Sequence, residues 1–427
     1  MIDDTSYLGI RTSGLDLSCP VNLSQDDRRR HLYIIGKTGT GKTTLILSLI
    51  LADLAATRGL ALLDPHGDLA KAVIDAMPRN RIPDCIYLNP ADLEFPCGIN
   101  PLFNVEPDRR PLVAANIVAT FRHIWADSWG PRLEYLLQNS LRLLLDGVGS
   151  TLLGLPALLV NDRYRERLLL TCRDAQVRQF WTHEIVAWGD QFKAEALSPL
   201  QNKIGALLAP PVLRNIIGQH QPTIDIAAIM NSNRILIANL AKGELGEGPS
   251  YLLGALLATS FSQAAQARAS IREEDRLDFN FYADEFQNFA TDSFATILSE
   301  ARKYRLSLTL AHQFLDQLPP HLRKAVFGNA GSMISFRIGA EDASVVAPEL
   351  GIESPSALSD LPNYQARGRL IHQGNPTDPF LLTTDLPKFQ TGQSEFVIRR
   401  TRGRYTRPRV KVEAEIDRFI SNPLPLF

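Results

Sequence analysis

His31-Leu32-Tyr33-Ile34-Ile35-Gly36-Lys37-Thr38-Gly39-Thr40-Gly41-Lys42-Thr43-Thr44 is an apolar run that breaks into a glycine-rich loop and re-emerges as a lysine followed by two threonines. Gly36 to Thr43 fit G-x-x-x-x-G-K-[ST], and each part of that pattern has a physical task. Glycines let successive backbone N–H groups curl round an anion with no Cβ in the way. The helix that follows turns its positive N-terminus toward the same point. Gly36, Lys37, Thr38, Gly39, Thr40, Gly41, Lys42, Thr43 and Thr44 are therefore the candidate nucleotide-binding residues. Lys42 is expected on the β- and γ-phosphates and the Thr43 hydroxyl on a magnesium ion, so ATP and Mg²⁺ are the expected ligands.

Working outward, the pattern has the context it needs. The run His31–Ile35 reads as a buried strand, Lys42–Ala56 as a helix and Leu60–Asp64 as a second strand. Leu69–Met77 is helical, and Cys85–Asn89 is strand-like again. Such alternation predicts a parallel sheet covered by helices on both faces. Between Pro111 and Ile226 the strand-like runs stop, and Leu133–Leu145, Tyr164–Cys172 and Val177–Val186 carry helical spacing. Alternation resumes with Arg234–Leu240, a helix over Tyr251–Ala269, and strands at Leu277–Ala283, Leu306–Ala311 and Ser332–Phe336, with a helix over Ser293–Tyr304. Arg369–His372 and Phe380–Thr383 read as a closing hairpin.

The strand Phe279-Asn280-Phe281-Tyr282-Ala283 ends in Asp284-Glu285. Strand ends of a parallel sheet lie beside the bound phosphates, so Asp284 is placed to hold the magnesium shell and Glu285 to polarise the attacking water as general base. A nucleotide switch that does not hydrolyse has no need of the second carboxylate. Gln313, at the end of the next strand, falls on the same edge and can sense the γ-phosphate or orient water. Arg302 and its basic neighbours close a helix, where positive charge is favoured in any case.

Composition limits the rest. With 45% hydrophobic and 21% charged residues and a net charge of −1, the 427-residue chain is globular, and any contact with nucleic acid must be local. Cys19, Cys85, Cys97 and Cys172 stand too far apart in sequence for a C-x-x-C zinc or redox site. The uncharged stretch from Gly248 to Ala267 has an apolar centre only from Tyr251 to Phe261, which predicts a buried helix rather than a membrane span. Arg399, Arg400, Arg402, Arg404, Arg407, Arg409 and Lys411 form a basic tail with no acid between them, a candidate for phosphate contact with DNA.

At this point the segments GKTGTGKTT, LLDPHGDL, NLAKGELGEG, YADEFQNFA and SEARKYRLSLTLAHQ together resemble the coupling-protein ATPases of conjugation and type IV secretion. These TraG/TraD-like proteins belong to the FtsK–HerA superfamily of hexameric pumps. The resemblance, over about Arg28 to Thr383, implies an α/β fold: a RecA-like P-loop NTPase with a central, mostly parallel sheet, interrupted by an all-α domain. It divides the chain into an N-terminal segment (1–30), a first motor part (31–110), the all-α domain (111–226), a second motor part (227–395) and the basic tail (396–427). It implies DNA as the translocated substrate, a homo-oligomeric ring, a hexamer, and a relaxase or secretion-channel protein as partner. By resemblance Arg302 matches the arginine finger that enters a neighbouring subunit's site, with Arg305 its close rival, and Gln313 matches the motif glutamine. Asp64 and His66 fall in the family's D-P-x-G-D turn without an assigned step. Membrane-anchored members carry N-terminal spanning helices that are not found in this sequence, so the expected location is cytoplasmic, at the inner face of the membrane if a channel partner recruits it. Two alternatives stay open: a HerA-like translocase for DNA processing or defence, and a nucleotide-gated docking factor for secreted proteins.

Overall fold

The computed structural model describes residues 5–12 and 18–423. One compact unit comprises Met1–Leu88, Ile226–Ala241 and Ala258–Thr401; a second comprises Asn89–Asp225, Lys242–Leu257 and Arg402–Phe427.

In the first unit the strands are β1 (Thr5–Thr12), β2 (Ser18–Ser24), β3 (Leu32–Ile35), β4 (Gly59–Asp64), β5 (Cys85–Leu88), β6 (Ile235–Asn239), β7 (Phe279–Ala283), β8 (Leu306–His312), β9 (Ser332–Ser335), β10 (Gln365–Arg369), the short pair β11 (Ile371–His372) and β12 (Asn375–Pro376), and β13 (Phe380–Thr383). Eleven of them form one sheet in the order β2-β1-β13-β10-β9-β3-β8-β7-β4-β6-β5. From β9 to β5 every pairing is parallel. Their sequences are mostly apolar because both faces of the sheet are covered, and all residues of β3, β4, β5, β6, β7 and β8 are buried, the few polar ones such as Asn280 included. The order places β3 between β8 and β9, with β7 next to β8. The loops that leave β3, β7, β8 and β9 therefore emerge along one edge, where ligands of open α/β sheets bind.

The remaining strands are antiparallel and follow a different residue logic. β1 and β2 pair with each other and add to the edge through β13. The first thirty residues, expected only as an N-terminal segment, thus hold two strands; Ser18–Ser24 carries no apolar run and is mostly exposed, as an edge strand can be. The expected hairpin also differs in register: β10 pairs with β13, and Ile371–His372 turns back onto Asn375–Pro376 instead. β10 reads Gln-Ala-Arg-Gly-Arg, burying only Ala366 and Gly368. A Cβ on Gly368 would stand 2.9 Å from the Phe380 ring, so smallness rather than apolarity selects the buried positions.

Beneath this sheet lies a buried polar network. Arg28 donates to both Asp53 carboxylate oxygens (2.6 and 3.1 Å), to Ser6 Oγ (3.0 Å) and to Tyr282 Oη (2.6 Å). Tyr282 Oη in turn donates to Asp53 (2.5 Å), as does Asn280 Nδ2 (2.9 Å). Burial of the Tyr282 phenol pushes its pKa up, and Asp53 raises that of Arg28 against the opposing effect of burial. This network ties β1 and the P-loop helix Lys42–Ala55 to β7, the strand that carries Asp284. Removing one partner of such a pair leaves a buried charge uncompensated, at a cost of about 3–5 kcal/mol.

In the second unit, residues 89–225 hold helices and turns and, among the described residues, no strand. Helices Arg110–Ile124, Pro131–Asp146 and Asp190–Leu208 bury one face each, including Ile117, Phe121, Leu137, Leu141, Leu144 and Leu200. Toward the C-terminus the chain forms two helices, Ser394–Arg404 and Arg409–Ser421. The second buries Val412 and Ile416. No helix of the described residues is long and apolar enough to cross a membrane.

Candidate active site

The loop after β3 is fastened from the side of β9. Lys37 N–H donates to Arg337 O (2.8 Å), and a Cβ on Gly36 would stand 2.6 Å from the Phe336 Cβ. Gly39 (φ 76°) and Gly41 (φ 120°) adopt left-handed backbone that side chains disfavour. Nothing lies within 4 Å of a Cβ built on Gly39, so that side of the loop is open. Lys42 is buried at the first turn of its helix, and its ammonium donates to Gly36 O (2.6 Å) and Lys37 O (3.3 Å). Burial lowers its pKa, while Glu285 and Asp284 oppose the loss of charge. Thr40 Oγ1 donates to Lys37 O (2.7 Å), bracing the loop from within. Thr38 and Thr44 belong to the same loop and helix start.

Asp284 follows β7 and is buried. Thr43 Oγ1 donates to its Oδ2 (3.2 Å), joining the helix start to the strand end. Burial above all, then the neighbouring Glu285 and Asp64, push its carboxyl up to about 6. Glu285 is held in left-handed backbone (φ 47°) with its N–H donating to Asp284 Oδ1 (3.0 Å). A non-glycine residue in that conformation is strained, and such strain concentrates at functional sites. Two side-chain amides fix the Glu285 carboxylate: Gln313 Nε2 donates to Oε1 (3.0 Å) and Gln287 Nε2 to Oε2 (2.8 Å). Lys42, Thr43, Asp284, Glu285 and Gln313 thus converge on one edge of the sheet. Gln287 was missed in the sequence analysis; its signal was its place two residues beyond Glu285 within the acidic turn.

Asp64 acts as a turn former. Its carboxylate accepts from His66 N–H (2.9 Å) and Ala70 N–H (2.9 Å), capping the start of helix Asp68–Asp75. Beside Gln313, His312 is buried and shares a 2.5 Å hydrogen bond with Tyr33 Oη. Burial drives its pKa down to about 3, so the imidazole is neutral.

Arg302 and Arg305 have different settings. Helix Asp292–Glu300 runs into a short 3₁₀ turn, Ala301–Tyr304, on which the Arg302 side chain is exposed. It makes no side-chain hydrogen bond or ion pair among the described residues. Arg305 is half-buried at φ 54°, and its guanidinium donates to Arg276 O (2.8 Å), tying it to its own chain. His31 supports the preceding helix: its Nε2 donates to Leu298 O (3.1 Å) and its Nδ1 accepts from Leu308 N–H (3.2 Å). Burial lowers this imidazole to about 4 and keeps it neutral.

The seven basic residues of the sequence-predicted tail divide into two sets. Arg402 pairs with Asp92 (2.8 Å), Arg407 with Glu415, and Arg409 with Glu413 (2.8 Å). Arg399, Arg400, Arg404 and Lys411 make no ion pair among the described residues, and all but Arg400 are exposed. The tail read from charge alone is therefore two helices with buried residues, Val397 and Thr401 in the first and Val412 and Ile416 in the second.

The residues present fit a nucleoside triphosphate with a divalent cation. The loop offers an open, glycine-lined side, and a helix leaves its first amide groups without intrahelical partners. Asp284 is a crowded buried carboxylate whose proton affinity is raised by burial first and then by its acidic neighbours. A cation held between Thr43 and Asp284 would relieve that repulsion.

Residues 12–101 match the family model described as the central domain of helicase HerA. No curated protein sequence matches the chain. Among solved structures, the unbound bacterial conjugative coupling protein TrwB superposes with a TM-score of 0.64 at 14% identity, covering 87% of this chain and 88% of that one. TrwB in complex with ADP and Mg²⁺ gives 0.62 at 15% identity, covering 88% and 90%. VirB4 of Thermoanaerobacter pseudethanolicus gives 0.61 at 14% identity, covering 90% and 97%. At such identities the likeness concerns the fold, which is the RecA-like P-loop fold expected from the sequence. The HerA-like segment thus spans the phosphate loop, and the chain as a whole has the RecA-like P-loop fold of these structures.

Proposed function

We propose that the protein is an ATP-driven DNA translocase of the coupling-protein kind, hydrolysing ATP at the subunit interfaces of a homo-oligomeric, hexameric ring. The observation that carries the reading is the Glu285 carboxylate. It stands beside the Thr43–Asp284 pair and is oriented by the amides of Gln313 and Gln287. A protein that only binds nucleotide has no use for a base aimed in this way.

In this reading Lys42 and the loop amides hold the phosphates, while Thr43 and Asp284 hold the metal. Bound magnesium supplies charge neutralisation on the β- and γ-phosphate oxygens. Glu285 accepts the proton of the attacking water, and its two amide contacts keep the carboxylate facing that water instead of rotating away. Gln313, bonded to Glu285, would report occupancy of the site to β8. Arg302, exposed and unengaged, is the residue free to enter a neighbour's site, whereas Arg305 is committed to Arg276. Arg399, Arg400, Arg404 and Lys411 are the basic residues left available for DNA phosphates. A relaxase or channel protein would then be the partner that recruits the ring, at the inner face of the membrane.

The match to the HerA central domain favours one other reading, a translocase working in DNA processing or defence. Measuring ATP turnover with and without single-stranded and duplex DNA tests both. Stimulation by DNA supports a motor, and turnover indifferent to DNA refutes it in favour of a nucleotide-gated docking factor.

A further inference from the structure

Tyr364 stands immediately before β10 in left-handed backbone (φ 64°), an unusual conformation for a bulky aromatic residue. Its main chain is built into the phosphate loop. Tyr364 N–H donates to Thr40 O (2.8 Å), and Tyr364 O accepts from Thr384 N–H (2.9 Å) and Thr384 Oγ1 (3.1 Å). Its ring lies against the loop as well: a Cβ on Gly41 would stand 3.2 Å from Tyr364 Cδ1. Yet the residue remains 41% exposed.

The main-chain contacts account for a backbone held in this place, since any residue can supply them. They do not account for the ring. Glycine or asparagine would occupy the same φ with less strain, and the side chain is not buried to stabilise the core. What remains is a half-exposed aromatic face fixed against the glycine that precedes Lys42, at the border of the anion cradle. An aromatic face anchored at that point suits the flat base of the nucleotide whose phosphates the loop would hold.

We infer that Tyr364 is the stacking platform for the base of the bound nucleoside triphosphate. The inference rests on the phosphate-loop reading given under the proposed function, and deepens it. Stacking uses the π-face that every base has, so the contact adds affinity for the nucleoside without reading the base edge. It divides recognition into two parts: Lys42 and the loop amides for the phosphates, Tyr364 for the base.

The test compares the affinities of the full-length protein for ATP and for inorganic tripolyphosphate, each with magnesium, by titration calorimetry. The variant of choice is Tyr364→Asn, because asparagine tolerates left-handed backbone and keeps all three main-chain hydrogen bonds. Its affinity for ATP should fall by about 5- to 150-fold, the range that base stacking supplies, while tripolyphosphate binds as to the wild type. Tyr364→Phe keeps the ring and should bind both ligands normally. Equal losses for ATP and tripolyphosphate in Tyr364→Asn would overturn the inference in favour of a loop-bracing role, as would no loss for either. Lys42→Ala separates the two levels of the argument. It should weaken both ligands, and if it weakens neither, the phosphate-loop reading fails, whatever Tyr364 does.

Discussion

Replacing Asp284 with asparagine should make the protein without ligand more stable. Burial first, and then Glu285 and Asp64, lift the Asp284 carboxyl from its ordinary 3.8 to about 6. At about 1.4 kcal/mol per tenfold change in proton affinity, keeping this group ionised costs the folded state roughly 3 kcal/mol relative to the unfolded chain. Because the folded protein holds the proton more tightly, that cost is complete above pH 6 or so, shrinks as the pH falls through the folded value, and disappears below the unfolded value of 3.8. At pH 5 it should be about half its size at pH 8. Asparagine retains an oxygen to accept from Glu285 N–H, and Thr43 Oγ1 can reverse to accept from the new amide, so neither contact need be lost. Urea unfolding should therefore find Asp284→Asn more stable by about 1.5–3 kcal/mol at pH 8, with the gap closing toward pH 4. Adding magnesium and a non-hydrolysable ATP analogue should narrow the gap. Wild type would gain about 2.7 kcal/mol at a hundred times its Kd, and the variant, lacking the carboxylate for the cation, would gain less. A variant less stable than wild type at pH 8, or a gap that does not change with pH, would refute the reasoning.

Glu285→Gln should bind ATP and lose turnover by about 10²–10⁴-fold, measured by phosphate release; Gln313→Ala should lower turnover less, because Gln287 still holds the carboxylate. Arg302→Ala should keep its unfolding midpoint and ATP affinity while turnover drops by about 10³–10⁵-fold, and mixing it with wild type should depress activity out of proportion. Arg305→Ala should instead lower the unfolding midpoint, since it removes the contact to Arg276 O; the opposite pattern would exchange their roles. For DNA, removal of residues after Glu395 would also remove buried Val397, Val412 and Ile416, so substitution is the cleaner test. Neutralising Arg399, Arg400, Arg404 and Lys411 together should flatten the slope of log affinity against log salt by about 0.9 per lost contact on duplex. An unchanged slope would leave these residues to a protein partner.

Some of this was legible in the sequence because the signal is local. A glycine loop between an apolar strand and a helix specifies a phosphate cradle within nine residues, and apolar runs such as Leu32–Ile35 and Cys85–Leu88 mark strands covered on both faces. The antiparallel edge was less visible, because an edge strand need bury only part of itself and β10 does so with Ala366 and Gly368. The basic tail illustrates a similar limit: charge along the chain cannot say which arginines already have carboxylate partners. Arg402 and Asp92 lie 310 residues apart in sequence.

The sequence by itself determined the residue types at the candidate site and the class of chemistry they can perform, because motif spacing and strand polarity are properties of adjacent residues. Only the tertiary structure decided how Glu285 is held, by Gln313 from a different strand and by Gln287 from its own turn. It also distinguished tethered Arg305 from exposed Arg302, and set Tyr364 against Gly41, more than three hundred residues earlier in the chain. Those arrangements depend on the order β10-β9-β3-β8-β7. Strand order is a product of packing between distant segments, and no local pattern carries it.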